Sequence, residues 1–400
     1  MLNNIIVFML YNLLIIQVIS NVIEFERLQT IFYIVLMSLF FFRIYIVKIN
    51  KKLILYILLF ITIILLGSLF TDISKERVTT DIRYLFRSVL LGIFSFYFFY
   101  SYKYSENKLK IFFKIILFSV TFFVLLQFFF DLGRATHKVT YISYFNEINA
   151  LSFIYVVSWF SLFLSGSKSV TNVLVTIITF IIGLLLGSKA SVLMIIFLLV
   201  FYFISIQKKK SSKTRLVINL LLFSSFIISI FFFNTIIDLF FEIIFLSSPE
   251  GAAMIHKTER YDWSLVTALL STRDLRILNL LHHMEYNFSI QEIFFGIGMS
   301  NDLLPMIESD FFDILQAFGV FGIMLYFIPL GMLFFYLKSN NILYYSYHNN
   351  YIFSLGVFYI AIIMSTLTGH IFISPSAMII FGAVFGYMFS IRRNCNPPKN

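Results

Sequence analysis

The sequence predicts an all-α polytopic integral membrane protein with about twelve transmembrane helices and one large extracytoplasmic loop. Of the 400 residues, 60% are hydrophobic and only 12% are charged, whereas a soluble domain is about half apolar and about a quarter charged. The apolar residues also form long continuous runs, without the alternation that is typical of a transmembrane β-strand. Most runs approach the roughly 20 residues that a helix needs to cross the hydrocarbon core.

The predicted spans follow from these runs in chain order. They cover approximately residues 4–22, 29–47, 53–70, 84–101, 111–130, 148–165, 170–187, 190–206, 216–234, 311–337, 351–369 and 374–391. The chain is expected to form one transmembrane domain, 1–400, within which residues 235–310 are the only long hydrophilic segment. A loop of that length in a compact protein is usually functional or disordered. Trp263 and regular apolar spacing favour an ordered loop.

The distribution of Lys and Arg predicts how the chain is oriented. Basic residues are more numerous in one set of alternate loops, and the longest basic run, 207–215, belongs to that set. Because cytoplasmic loops carry the excess of Lys and Arg, we expect both termini in the cytoplasm and residues 235–310 outside. Membrane topology thereby explains the net charge of +10, and no nucleic acid partner is expected.

Residues 271–288 predict a helix with two arginines on one face. At 3.6 residues per turn, Arg273 and Arg276 lie on the same side as His283. Paired guanidinium N–H groups suit phosphate and pyrophosphate oxygens. The alternative is an interfacial helix whose basic residues meet lipid headgroups. The leucines of this segment are expected largely on other faces: Leu275, Leu278 and Leu281.

Three carboxylates, Glu308, Asp310 and Asp313, cluster where the span 311–337 begins. Ionised groups at that depth are costly unless they face water, a partner or a substrate. Glu308 could act as a general base, and the alternative is a solvated acidic helix start that favours the helix dipole. Further along, Gly319 and Gly322 have a spacing that suits close helix packing.

Two other basic positions are expected to face outward. Arg87 follows Arg83 by one turn at the mouth of the span 84–101, and Lys189 lies in a very short turn between two spans. Each could contact an anion, and snorkelling toward the membrane interface would explain each as well. The His, Asp and Cys residues show no recognisable metal spacing, and no nucleotide-binding loop is present. Neither a metal nor a cofactor is therefore expected.

Four short motifs follow one another within residues 170–330. They are the Ser188–Lys189 turn, the Ser-Thr-Arg-Asp segment at 271–274, the Phe-Phe-Gly-Ile-Gly turn at 294–298, and Glu-Ser-Asp-Phe-Phe at 308–312 followed by Gly319-x-x-Gly322. In this order, with a large outer loop before a late span, they resemble the O-antigen polymerase and ligase superfamily, which includes the Wzy-type polymerases.

The resemblance implies a metal-independent glycosyltransferase of the bacterial inner (cytoplasmic) membrane. Its substrate would be an undecaprenyl- or other polyprenyl-pyrophosphate-linked oligosaccharide, polymerised into O-antigen of lipopolysaccharide or into capsule. Arg273 matches the family's outer-loop arginine, and Lys189 stands where an arginine is common. Ligases usually carry His-Asn where this chain has Glu308 and Ser309, which favours a polymerase over a ligase.

The residues and the resemblance together define a candidate site and its partners. The candidate catalytic residues are Glu308, Asp310 and His283, and the candidate pyrophosphate-binding residues are Arg273, Arg276, Arg87 and Lys189. A chain-length regulator and a flippase are the protein partners that such a polymerase implies, beside the lipid bilayer. A flippase or transporter for lipid-linked sugars is the alternative from another class. Transporters of that kind tend to have two related halves, and no internal repeat is visible here.

Overall fold

In a computed structural model of the chain, every regular element among the described residues is a helix. The described residues are 2–47, 58–59, 61–62, 65–66, 86–101, 106–130, 148–165, 170–186, 189–206, 273–298, 307, 309–338, 348–367 and 369–395. The helices, α1 to α13 in chain order, are Leu2–Tyr11, Leu13–Val22, Glu26–Val47, Leu91–Ser101, Glu106–Phe130, Ile148–Ser165, Val170–Leu185, Lys189–Ile206, Arg273–Tyr286, Ile290–Phe295, Asp310–Lys338, His348–Leu367 and Pro375–Cys395. A π-helical turn, Phe86–Leu90, leads into α4.

Several of these helices could cross a membrane. Four are long and apolar enough by themselves: α3, α5, α11 and α12. The helices α1 and α2 could together form a fifth span that bends by 57° at Asn12. Shorter apolar stretches lie in α4, α6, α7, α8 and α13. The expected all-helical architecture is confirmed for the described residues, several of whose helices could span a membrane, and the total of twelve spans stays a prediction.

The described helices coincide with all but two of the predicted spans. The span 216–234 lies outside the described residues, and so does 53–70 apart from three pairs of residues. Of the large loop 235–310, the structure describes residues 273–298, 307 and 309–310. The hydrophilic loop therefore contains at least two helices, α9 and α10, as its apolar spacing indicated.

The chain divides into two compact units. The first contains residues 1–13, 26–109 and 265–400, and thus α9 to α13. Within it, α4 packs closely along α13, where Gly382 and Gly386 form a Gly-x-x-x-Gly pattern. A Cβ atom at Gly386 would overlap the carbonyl oxygen of Phe96, and the Ser95 hydroxyl donates to the Ile379 carbonyl at 2.8 Å. Small residues let two membrane helices approach this closely.

The second unit contains residues 14–25 and 110–264. Its helices α6, α7 and α8 pack against one another, and polar groups join them inside the apolar core. The Trp159 indole N–H donates to the Thr176 hydroxyl at 3.1 Å. The Ser191 hydroxyl donates to the Gly183 carbonyl at 2.7 Å. Since hydrocarbon offers no partner to a polar group, such internal bonds satisfy side chains that lipid could not.

Candidate functional site

Helix α9 presents one face to the protein and another to its surroundings. Leu280 is buried in a small apolar cluster with Ile297 and Ile307, and Ile277 and Met284 pack against it. This inward face lies at the i, i+3, i+4 and i+7 positions of a helix. The leucines that helical periodicity assigned to other faces are exposed: Leu275, Leu278 and Leu281.

Arg273 belongs to the inward face of α9. It is the first residue of the helix and only 8% exposed, while Arg276, one turn later, is half-buried. A basic side chain that snorkels to lipid headgroups keeps its charged end in water. The burial of Arg273 therefore favours a role inside the protein over the headgroup alternative. His283 is also half-buried, and its Nδ1 lies 2.9 Å from the side-chain amide nitrogen of Asn287.

The Phe-Phe-Gly-Ile-Gly motif ends the short helix α10. This helix begins at a capping box, in which the Ser289 backbone N–H donates to the Glu292 carboxylate at 2.7 Å. It ends at Gly296, whose φ is 78° and ψ 174°. Gly298 also has a positive φ of 85°. The region that Gly296 occupies is essentially restricted to glycine, so the motif specifies an abrupt turn.

This turn is docked into a break in α11. The break occurs at Gly319, with φ 62° and ψ −161°. Beside it, the Ile297 N–H donates to the Gln316 carbonyl at 2.8 Å and the Gly298 N–H donates to the Ala317 carbonyl at 3.1 Å. A Cβ atom at Gly296 would overlap the backbone at Ala317, and one at Gly319 would overlap the backbone at Phe294. The two glycine motifs are thus one interlocked structure.

In the Gly319-x-x-Gly322 pair, Gly319 makes the close helix packing that the spacing suggested, and Gly322 does not. Gly319 interrupts its own helix, and a Cβ atom there would overlap the backbone of the short helix α10 at Ile293 and Phe294. A Cβ atom at Gly322 would meet the Phe318 side chain of the same helix. The physical reason is that α11 changes direction at Gly319, which brings Phe318 over the following turn. The spacing of two glycines does not reveal the positive φ of the first.

Asp310 holds the loop between α12 and α13. Its carboxylate is fully buried and accepts the backbone N–H groups of His370 at 2.6 Å, Ile371 at 2.8 Å and Phe372 at 2.7 Å. The loop turns sharply, because both Gly369 and His370 have positive φ. A carboxylate has about four acceptor positions, so three bonds use most of them. This arrangement gives Asp310 a positioning role.

Asp313 also binds a backbone N–H group, in this case from a residue close to it in sequence. One of its carboxylate oxygens accepts the Ile307 backbone N–H at 2.7 Å. Ile307 and Ser309 are both buried, so the residues on either side of Glu308 are anchored, while Glu308 itself lies outside the described residues. The acidic cluster therefore includes two carboxylates that organise backbone, which the simple picture of a solvated helix start did not anticipate.

For the remaining basic residues of the predicted site, the structure describes at most the main chain. Arg87 lies in the π-helical turn before α4, in the same unit as Arg273, and Lys189 is the first residue of α8 in the other unit. Both side chains, and Arg83, lie outside the described part of the structure. Within that part, no group of three His, Cys, Asp or Glu side chains could hold a metal ion.

An apolar cavity lies in the unit that contains Arg273 and Asp310. It has a volume of about 340 Å³ and opens between α4, α11 and α13, lined by residues such as Phe96, Tyr326, Pro329 and Phe381. Phe372, whose N–H is bound by Asp310, also lines it. The lining is almost entirely apolar, which suits a hydrocarbon chain better than a sugar.

Comparison with known proteins identifies no family for this chain. No protein-family model matches the chain, and no curated protein matches it significantly. A buried arginine, two anchoring carboxylates and an apolar cavity belong to one compact unit of this helical chain.

Proposed function

We propose that this chain is a membrane glycosyltransferase that polymerises oligosaccharide repeat units linked to polyprenyl pyrophosphate. The observation that carries the proposal is the burial of Arg273 on the inward face of α9, in the helix that packs near the start of the apolar helix α11. The protein around Arg273 holds its guanidinium in position and keeps bulk water from it, which strengthens its attraction for an anion. Pyrophosphate is an anion whose oxygens match the guanidinium fork.

The chemistry requires little beyond charge and position. The acceptor hydroxyl gives its proton to a carboxylate, and its oxygen attacks the anomeric carbon of the donor sugar. The bond between that carbon and the pyrophosphate oxygen breaks, and polyprenyl pyrophosphate leaves with the bonding electrons. Arg273 and Arg276 would stabilise the charge of the leaving group, and the hydrocarbon tail would occupy an apolar groove such as the cavity beside Phe372.

Glu308 is the carboxylate that we assign as the general base. Asp310 is committed to the loop before α13 by three backbone hydrogen bonds, and Asp313 binds the Ile307 N–H. Glu308 follows Ile307 directly, so its main chain starts from an anchored residue. Asp310 acts as a positioning residue in this mechanism. His283 is the next candidate for the general base if Glu308→Gln leaves activity unchanged.

The first experiment tests the arginine. We expect Arg273→Ala to abolish polymer while the protein remains in the membrane, and Arg273→Lys to recover only part, because lysine offers a point charge without a fork. Arg27→Ala is the matched control, since Arg27 is exposed at the start of α3. The readout is the ladder of lipid-linked and released saccharides on a gel. A normal ladder from Arg273→Ala would refute the pyrophosphate role.

The second experiment tests the base. Glu308→Gln keeps the shape of the side chain and removes its basicity, which should lower the rate by roughly 10²–10⁴-fold and leave single lipid-linked repeats to accumulate. Glu285→Gln is the control, because Glu285 is exposed on α9. If Glu308→Gln makes a normal ladder, the base is another residue, and His283→Ala is the next variant to test.

The proposed topology places the reaction on the outer face of the cytoplasmic membrane of a bacterium, with both termini inside. A single cysteine introduced by Arg260→Cys, in a background carrying Cys395→Ser, should react with an impermeant maleimide in intact cells, because Cys395 is the only native cysteine. Reaction only after permeabilisation would exclude an outward-facing site. Cells that lack this chain distinguish a flippase from a polymerase, because loss of a flippase would leave the lipid-linked repeats on the inner face of the membrane.

A further inference from the structure

Helix α11 folds back at Gly319, and this brings its first residues beside the apolar cavity. The ring of Phe311 lies 5.4 Å from the ring of Phe327, which is on the other side of the break. In an unbroken helix, a rise of about 1.5 Å per residue would separate these two residues by about 24 Å. The Phe327 ring in turn lies 6.1 Å from the ring of Phe372, which lines the cavity. The start of α11 is therefore next to the cavity.

The turn between α12 and α13 places a histidine at this junction. Gly369 and His370 are both left-handed, with φ of 67° and 64°. The backbone N–H groups of His370, Ile371 and Phe372 converge on the Asp310 carboxylate at 2.6 to 2.8 Å. Because all three N–H groups are directed at Asp310, a ligand at this turn would meet the His370 side chain and not these backbone donors.

The conformation of His370 points to a role for its side chain. The residue is half-buried, and its imidazole makes no hydrogen bond to the described part of the chain. The ring lies near enough to the Asp310 carboxylate for the two charges to interact. Glycine adopts a positive φ without strain, so the turn itself does not require a histidine. Residues with side chains that are held in this region cluster at active sites and ligand clamps.

We propose that His370 binds the charged head of a lipid phosphate ester whose hydrocarbon chain enters the cavity beside Phe372. An imidazole N–H can donate to a phosphate oxygen whether the ring is neutral or protonated. The cavity has a volume of about 340 Å³ and an almost entirely apolar lining, which suits an isoprenoid chain. Head and chain are adjacent in such a ligand, just as His370 and Phe372 are adjacent in one tight turn.

The choice of pyrophosphate as the head rests on the proposed function, to which His370 adds a residue for the donor substrate. In that reaction the imidazole N–H would hold a pyrophosphate oxygen while the bond to the anomeric carbon breaks, and the imidazole transfers no proton. Asp310 would position this side chain through the backbone of His370. Its three N–H donors offset its negative charge toward a nearby anion.

The test is the binding of geranylgeranyl pyrophosphate to the purified full chain in detergent, beside geranylgeraniol, which lacks the charged head. His370→Gly removes the imidazole and should melt close to the parent, because glycine tolerates the positive φ. His282→Ala is the matched control, since His282 is an exposed histidine on α9. Leu330→Trp places a larger side chain in the lining of the cavity.

We expect His370→Gly to weaken the binding of geranylgeranyl pyrophosphate roughly 10- to 100-fold, as loss of a hydrogen bond to a charged group does, and to leave geranylgeraniol unaffected. Leu330→Trp should weaken the binding of both ligands, and His282→Ala should weaken neither. A residue with only a structural role would not separate the two ligands in this way.

Equal binding of geranylgeranyl pyrophosphate by the parent and by His370→Gly would overturn the role of His370, and so would an equal loss for both ligands. Unchanged binding in Leu330→Trp would place the hydrocarbon chain elsewhere and overturn the role of the cavity. Competition by inorganic pyrophosphate as strong as that by the lipid would likewise contradict a joint site. Because the assay measures binding, a parent that binds the lipid and makes no polymer refutes only the proposed function.

Discussion

Substitution of Gly319 by alanine tests whether the two glycine motifs form one interlocked structure. The φ of 62° and ψ of −161° lie in a region that is essentially restricted to glycine, where another residue costs about 1–3 kcal/mol. The new methyl group would also overlap the backbone at Phe294, and overpacking of this kind costs about 1–3 kcal/mol more. Together we expect a loss of about 2–6 kcal/mol in the free energy of unfolding.

Gly331 provides a matched control on the same helix. A Cβ atom there would meet nothing within 4 Å, and alanine is favoured over glycine inside a helix by roughly 0.8–1.0 kcal/mol. Gly331→Ala should therefore be neutral or stabilising. In purified protein, thermal unfolding should occur at a temperature lower by about 2–7 °C in Gly319→Ala and unchanged or higher in Gly331→Ala. Equal melting of the two variants would refute the interlock.

Substitutions at three further contacts test other parts of the fold by the same thermal assay. Asp310→Ala leaves the N–H groups of the buried Ile371 and Phe372 and of the half-buried His370 without their acceptor, at about 1–3 kcal/mol for each buried group. Asp310→Asn, which keeps one oxygen, should be milder, and an alanine variant as stable as the parent would contradict the anchoring role. Gly386→Val should separate α4 from α13 because its side chain would displace the Phe96 carbonyl, and unchanged stability would mean that the helices do not meet there. Tyr155→Phe removes the 3.0 Å bond to the Thr121 hydroxyl and should cost about 0.5–1.5 kcal/mol, with no added loss when Thr121→Val is combined with it.

The amino-acid sequence by itself determined the class of protein and the location of most helices. Long apolar runs need no tertiary information, because a helix in lipid must satisfy its backbone within each segment. The division of α9 into two faces was also predictable, since helical periodicity alone places Arg273 with Leu280 and apart from Leu278. Which face is buried could not be read from the sequence, because apolar residues occur on both.

Only the tertiary structure decided what the glycines and carboxylates do. Gly296 and Gly319 are separated by more than twenty residues, and their requirement for glycine arises from the approach of two backbones in space. Asp310 likewise binds a loop that lies 60 to 62 residues later in the chain. A carboxylate that anchors backbone and one that takes a proton look identical in sequence. The physical difference lies in which N–H groups the fold brings to their oxygens.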